Sequence, residues 1–306
     1  MGLIRLLLVF CLWAGSALAD ADTIEAAWRG WAQAAGVRTS SIAITRDGEL
    51  VRARGLNRDA RARAPLASLS KSITGACVMR LVDRGNLSLG STTGQLLGGT
   101  GLQMSRGGAR ITVSELLTHS SGLDRDSTQG HASPWRARGG DRTLNVSQTA
   151  LARPVGPKSF FYNNENYAVL GAMISAATGR NPAELCPQLL GIDARVSPDF
   201  GGGVSWGGYE MSAPDFARFA ATLQPRSDWP RVPMVSGVSY GPGVMLKEGG
   251  GDTLWHFGSW CFLFGRSAGA YFFQLGDSWG VTVTWDRCLS DRNMQALDLA
   301  LAQALR

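Results

Sequence analysis

The sequence predicts an α+β fold: an antiparallel sheet flanked by helices, with an all-helical lobe inserted. Three observations point to it. Strand-like runs surround a hairpin signal near the start of the chain, a second group of such runs fills its last quarter, and helical apolar periodicity dominates between them. Elements from both ends that enclose a helical insert build an α+β sandwich and a separate lobe.

The first residues read as a secretory signal. Arg5 supplies the positive start, Leu6 to Trp13 a short apolar core, and Ala17-Leu18-Ala19 a small-residue cleavage site before Asp20. That core is too short to span a bilayer, and no later stretch reads as transmembrane. The expectation is a signal peptide over 1–19, cut after Ala19, and a periplasmic or secreted domain over 20–306.

After a capping Thr23, residues Ile24, Trp28, Trp31 and Ala35 recur at helical spacing. Ser41-Ile42-Ala43-Ile44 and Glu49-Leu50-Val51 flank Arg46-Asp47-Gly48, a hairpin signal. Asn57 to Pro65 is polar and rich in arginine. A helix then carries Ser68, Ile73, Cys77 and Leu81 and ends at Gly85. Further helices are expected near Val113 to Thr118, Asn166 to Ala177, Pro182 to Leu190 and Pro214 to Leu223. Strands return at Tyr240 to Leu246, Thr253 to His256, Ala268 to Gln274 and Val281 to Trp285, with a turn at Gly276-Asp277-Ser278. Asp291 to Leu305 closes as a helix with Met294, Leu297, Leu301 and Leu305 on one face. The α/β part thus covers about 20–66 and 230–306, and the helical lobe about 67–229.

The 306 residues carry a formal charge of +6, which loses one unit if Arg5 leaves with the signal. The basic residues are nearly all arginine and scattered. Without a basic stripe interleaved with aromatics, they read as a solvated surface and not as a nucleic-acid interface. Cys11 leaves with the signal, and Cys77, Cys186, Cys261 and Cys288 form an even set that permits disulfides in an oxidising compartment. Cys261 and Cys288 flank an expected hairpin and make the better pair. Cys77 and Cys186 remain, either bridged or as free buried thiols. The three histidines are far apart and no acidic or cysteine pair has ligand spacing, so no metal site is expected. Glycines 201–203 and 249–251 lack the strand-to-helix spacing and lysine of a phosphate cradle, and no organic cofactor signature is present. The residues do not specify an oligomeric state.

Ser68-Leu69-Ser70-Lys71 is the segment with chemistry in it. Side chains at i and i+3 share a helix face, so Ser68 and Lys71 are expected side by side. A nucleophile then has its proton acceptor beside it. The plainer alternative is an exposed helix lysine. Tyr162-Asn163-Asn164 follows Gly156-Pro157 and Phe160-Phe161, which puts a tyrosine and an asparagine on a loop just before a helix. A buried tyrosine capped by asparagine would look the same. His256-Phe257-Gly258-Ser259 is expected at the end of a strand, where glycine lets a substrate lie close to the backbone and the next N–H point into a site. His256 could equally be a satisfied strand residue.

Taken in order, these motifs resemble the S-x-x-K, Y-x-N and H/K-x-G set of the serine β-lactamase and penicillin-binding-protein superfamily. The nearest resemblance is to its class C-like branch of D-aminopeptidases, D,D-carboxypeptidases and family VIII esterases. Ile111 to Leu123 is similar to that family's ITIRHLLTHTSGL segment, Met211 to Phe219 to its STAEDLARF helix start, and Tyr240-Gly241-Pro242-Gly243 to its YGLGW strand.

The resemblance implies a β-lactamase/transpeptidase-like fold and an exported serine hydrolase that forms an acyl-enzyme on Ser68. Lys71 or Tyr162 is the implied general base, and the N–H groups of Ser68 and Ser259 the oxyanion donors. Asn164, His256, Gly258 and Ser259 are the implied substrate-binding residues. His256 stands where β-lactamases place lysine, and a neutral histidine attracts a substrate carboxylate less. Short acyl esters or D-amino-acid peptides are therefore the implied substrates, with a weak β-lactamase or D,D-carboxypeptidase as the alternative. A non-catalytic module that binds cell-wall fragments is the alternative of another class. No metal, cofactor or nucleic acid is implied, and the partner is a small-molecule or peptide substrate. His119, in the Ile111 to Leu123 landmark, reads as structural. His131 falls in a polar loop, Asp124 to Asn145, that could border the pocket.

Overall fold

Helix α1 (Ala21–Ala34) opens the computed structural model, which describes residues 20–129, 140–247, 253–262 and 266–305. The expected signal segment with Cys11, His131, and glycines 249–251 lie outside the described residues. Asp20, not Thr23, caps α1, because its carboxylate accepts the Thr23 N–H at 2.6 Å.

Strands β1 (Ser40–Arg46) and β2 (Glu49–Leu56) form the expected hairpin. Asp47 and Gly48 both take positive φ, 52° and 81°, as a two-residue turn of matching twist requires. β3 (Arg63–Pro65) begins inside the arginine-rich segment. A single 3₁₀ turn, Ala67–Leu69, then leads into α2 (Ser70–Asp83).

Helices α3 (Thr93–Leu97), α4 (Val113–Leu117), α5 (Thr143–Ala152), α6 (Asn164–Thr178) and α7 (Pro182–Leu190) follow. After β4 (Arg195–Val196), β5 (Tyr209–Ser212) and α8 (Ala213–Ala221), the chain returns to strands. These are β6 (Val232–Val235), β7 (Val238–Tyr240), β8 (Met245–Lys247), β9 (Thr253–Trp260), β10 (Ala268–Leu275) and β11 (Trp279–Trp285), before the closing helix α9 (Asp291–Ala304).

The main sheet has eight strands in the order β2-β1-β11-β10-β9-β8-β7-β6, antiparallel throughout. Ile42 of β1 lies opposite Val283 of β11, so the two ends of the chain join in mid-sheet. On one face, Trp28 of α1 and Leu297 and Leu301 of α9 bury against Val281, Val283 and Trp285. The other face meets α8 and the lobe.

Three expectations need correction. The lobe is not all-helical, because β3, β5 and β4 form a small sheet of their own. Helix α8 packs on the main sheet, where Ala213 and Ala217 meet Ala43 of β1. The run Tyr240 to Leu246 is two strands, since the turn at Gly241-Pro242-Gly243 closes with a Gly241 N–H to Val244 C=O bond of 2.9 Å. Ser72 of α2 donates to the Gly243 carbonyl at 2.7 Å and so ties that turn to the helix that follows Ser68.

Cys77 bridges to Cys186, joining α2 to α7, and Cys261 bridges to Cys288, joining the end of β9 to the segment after β11. Among the described residues no helix is long and apolar enough to cross a membrane.

Candidate active site

Ser68 stands in the 3₁₀ turn, one step before α2. In that tighter winding, residues i and i+3 eclipse, and Lys71 Nζ lies 3.2 Å from Ser68 Oγ. Ala67, immediately before the serine, takes a left-handed φ of 46°, a conformation that costs a non-glycine residue about 1–2 kcal/mol. The Leu66 N–H to Tyr209 C=O bond of 2.9 Å anchors the chain just ahead of it.

Lys71 is fully buried. Its other contacts are Asn164 Oδ1 at 2.6 Å, the Trp206 carbonyl at 2.9 Å, and the face of the Tyr162 ring, 4.8 Å from its centre. Burial pushes its pKa down to about 7, with Asp126 pulling the other way. At neutral pH much of the lysine is thus free amine. A neutral amine has two N–H bonds and one lone pair. With the two protons given to Asn164 and Trp206, the lone pair is left for the Ser68 hydroxyl.

Tyr162 lies on the loop before α6, with its ring centre 4.4 Å from that of His119. Its hydroxyl is buried and makes no hydrogen bond of full geometry, although it faces Ser68 closely enough for the serine to favour the phenolate. Burial is the larger effect and raises its pKa well above the usual tyrosine range. The phenol therefore keeps its proton. Asn163 caps α6 by accepting the Asn166 N–H at 3.0 Å, and Asn164 is the first residue of that helix.

His256 lies inside β9 and not at its end. Its Nδ1–H donates to the Phe257 carbonyl at 2.7 Å, and its Nε2 takes the Tyr240 hydroxyl at 3.1 Å. Burial, with Lys71 adding to it, lowers its pKa to about 3. The ring is neutral and both nitrogens are engaged within the protein. Gly258 is required for a reason other than the one expected. A Cβ there would stand 2.3 Å from Ser68 N, so it is the backbone of Ser68 that lies against this glycine. The contact brings β9 and the Ser68 N–H to one place. Ser259 follows, its hydroxyl donating to Cys261 Sγ at 3.3 Å.

Ser68, Tyr162, Asn164, His256, Gly258 and Ser259 line one cavity of about 410 Å³, and Lys71 lies just beneath it against Ser68. Met234, Met245, Phe257, Trp260 and Met294 give the cavity apolar walls, and Gln129 adds a polar group. A second cavity of about 380 Å³, between β9 and α9, holds none of the seven residues named from sequence. Among the described residues, no group of three or more His, Cys, Asp or Glu could hold a metal ion.

Other groups at the site escape sequence reasoning. The Trp206 acceptor is a backbone carbonyl, which leaves no residue-type signal. Asp126 and Thr128 belong to the polar loop expected to border the pocket, but only the fold shows them touching Asn164. His119 is buried at positive φ, with Nδ1 accepting from Asn166 Nδ2 at 3.1 Å, and its ring helps wall in Tyr162.

The fold and part of the sequence are similar to those of known proteins. Penicillin-binding protein 4 of Amycolatopsis lactamdurans is 30% identical over 116 residues, 37% of this chain. The match spans only 29% of that relative's length. Two solved structures share the fold across almost their whole length. A beta-lactamase/D-alanine carboxypeptidase from Yersinia pestis, complexed with citrate, aligns with a TM-score of 0.73 at 15% identity, covering 93% of this chain and 98% of that one. D-amino acid amidase from Ochrobactrum anthropi SV3 aligns at 0.71 with 15% identity, covering 92% and 99%. The beta-lactamase family model matches residues 21–192, a stretch that includes Ser68, Lys71, Tyr162 and Asn164. Since that stretch is more than half of the sequence, the chain belongs to the beta-lactamase family.

Proposed function

We propose that the chain is an exported serine hydrolase that forms an acyl-enzyme on Ser68 and hydrolyses an ester or amide, with short acyl esters or D-amino-acid peptides as substrates. The observation that carries this reading is the 3.2 Å contact between Ser68 Oγ and a buried Lys71 amine. Export rests on the signal-like first residues and on the two disulfides, which persist in oxidising compartments.

As Ser68 Oγ attacks the carbonyl carbon, neutral Lys71 takes its proton, and the carbonyl oxygen becomes an oxyanion. The N–H groups of Ser68 and Ser259 receive that charge, each donor contributing on the order of 3 kcal/mol. Protonated Tyr162 passes its proton to the leaving oxygen or nitrogen as the bond to carbon breaks, and Lys71 restores it. Water then attacks the acyl carbon, gives a proton back through the same groups, and releases Ser68.

The apolar walls suit an uncharged acyl group. Among the described lining residues there is no arginine or lysine, and His256 is neutral, so a substrate carboxylate finds no cation there. This weighs against a dedicated β-lactamase or D,D-carboxypeptidase, the reading that the Yersinia pestis structure would favour. The fold shared with D-amino acid amidase is in keeping with an amide substrate.

The test is turnover of a short-chain nitrophenyl ester and labelling by a fluorescent penicillin, each beside Ser68→Ala. Ester turnover that falls by about 10⁴-fold or more in the variant is expected. Penicillin labelling without turnover would point to a peptidoglycan enzyme. Absence of reaction in both assays would point to a binding module.

A further inference from the structure

The lone pair of Lys71 reaches Ser68 only if the Asn164 amide presents its oxygen to the amine, and a row of polar groups behind Asn164 decides which way that amide faces. Asp126 Oδ1 accepts both the Thr128 N–H at 3.0 Å and the Thr128 hydroxyl at 2.6 Å. A hydroxyl that has given its proton to a carboxylate can only accept from its next neighbour. That neighbour is Asn164 Nδ2, at 2.8 Å. With its NH₂ committed to Thr128, the amide must turn Oδ1 toward Lys71. Asp126 Oδ2 also accepts the Asn164 backbone N–H at 2.9 Å, so it holds the same residue at a second point. Thr128 is fully buried and Asn164 nearly so, which leaves little room for water to replace either bond.

We propose that Asp126 and Thr128 are positioning residues of the acyl transfer: they fix the Asn164 amide so that Lys71 is held with its lone pair on Ser68. The inference rests on the hydrolase reading given above and extends it to Asp126 and Thr128, which act on Ser68 through Asn164 and Lys71. It has a second, electrostatic side. Tyr162 and Tyr167 face Lys71 with their rings, and His119 and His256 lie close enough for its charge to act on them. Burial holds all four in their neutral forms, whereas Asp126 acts on Lys71 as a negative charge that favours the ammonium.

The chain has three lysines, Lys71, Lys158 and Lys247, so protein labelled with ¹³C at lysine Cε gives three resolvable NMR titrations without any substrate. In Asp126→Asn the Lys71 midpoint is expected to fall by about 0.5–1 pH unit, and the other two to stay in place. An unchanged Lys71 midpoint would overturn the electrostatic side of the proposal, whether or not the protein proves to be a hydrolase, and the amide-positioning side is read by Thr128. In ester turnover, Thr128→Val is expected to lower kcat on the order of 10- to 100-fold with little change in KM, and Thr128→Ser to recover most of it. Wild-type kcat in Thr128→Val, with melting temperature retained, would overturn the amide-positioning side. Failure of the hydrolase reading itself shows elsewhere, as activity that survives in Ser68→Ala.

Discussion

Lys71 does at the scale of one residue what the site needs most. Water exclusion lowers its pKa to about 7, and the acceptors Asn164 and Trp206 aim what remains of its basicity at Ser68. In the proposed mechanism the neutral amine is the active form, so kcat for an ester should rise with pH through a midpoint near 7, the folded-state pKa, and level off above it. A kcat profile that is flat between pH 5 and 9, or falls as pH rises, would remove Lys71 as the base. The serine–lysine pair was legible because three-residue spacing on a helical turn is a geometric statement in itself. The depth of the lysine was not, since it depends on Trp206 and Asn164, which arrive from positions far along the chain.

At the scale of elements, the site is the place where the turn before α2 meets the middle of β9. The backbones touch at Ser68 and Gly258, where any side chain would intrude. Gly258→Ala should therefore force apart the two proposed oxyanion donors, the N–H groups of Ser68 and Ser259, and lower kcat on the order of 10²-fold while circular dichroism stays native. A variant that keeps wild-type kcat would show that β9 does not help form the oxyanion site. Periodicity revealed the long elements, such as α6 and β11, and the Asp47-Gly48 hairpin. It did not reveal α5, whose start lay within a segment read as a polar loop, nor the β7–β8 turn, whose proline and glycines sat inside an apolar run. Such misses arise where a short break or a short helix holds too few residues to establish a period.

Over the whole molecule, strands from both termini close one sheet, and the lobe is fastened to itself and to that sheet. The Cys77–Cys186 bridge closes a loop of 109 residues and Cys261–Cys288 one of 27. On a chain-entropy view these restrict the unfolded chain by about 4–5 and about 3–4 kcal/mol. The first bridge ties α2, which continues from Ser68, to α7, and the second secures β9 beyond Ser259. Cysteine count and hairpin position pointed to the second bridge directly, whereas Cys77 and Cys186 read equally well as a bridge or as free buried thiols. The candidate site residues came together from three distant segments, which motif order in the sequence anticipated and distances now describe.

Acyl transfer through this site requires that Ser68 become esterified. The direct measurement is mass spectrometry of the protein quenched in acid during ester turnover, followed by peptide mapping. The expected result is an added acyl mass on the peptide that contains Ser68, absent from Ser68→Ala. Turnover that proceeds with no such adduct, and that Ser68→Ala leaves intact, would contradict it.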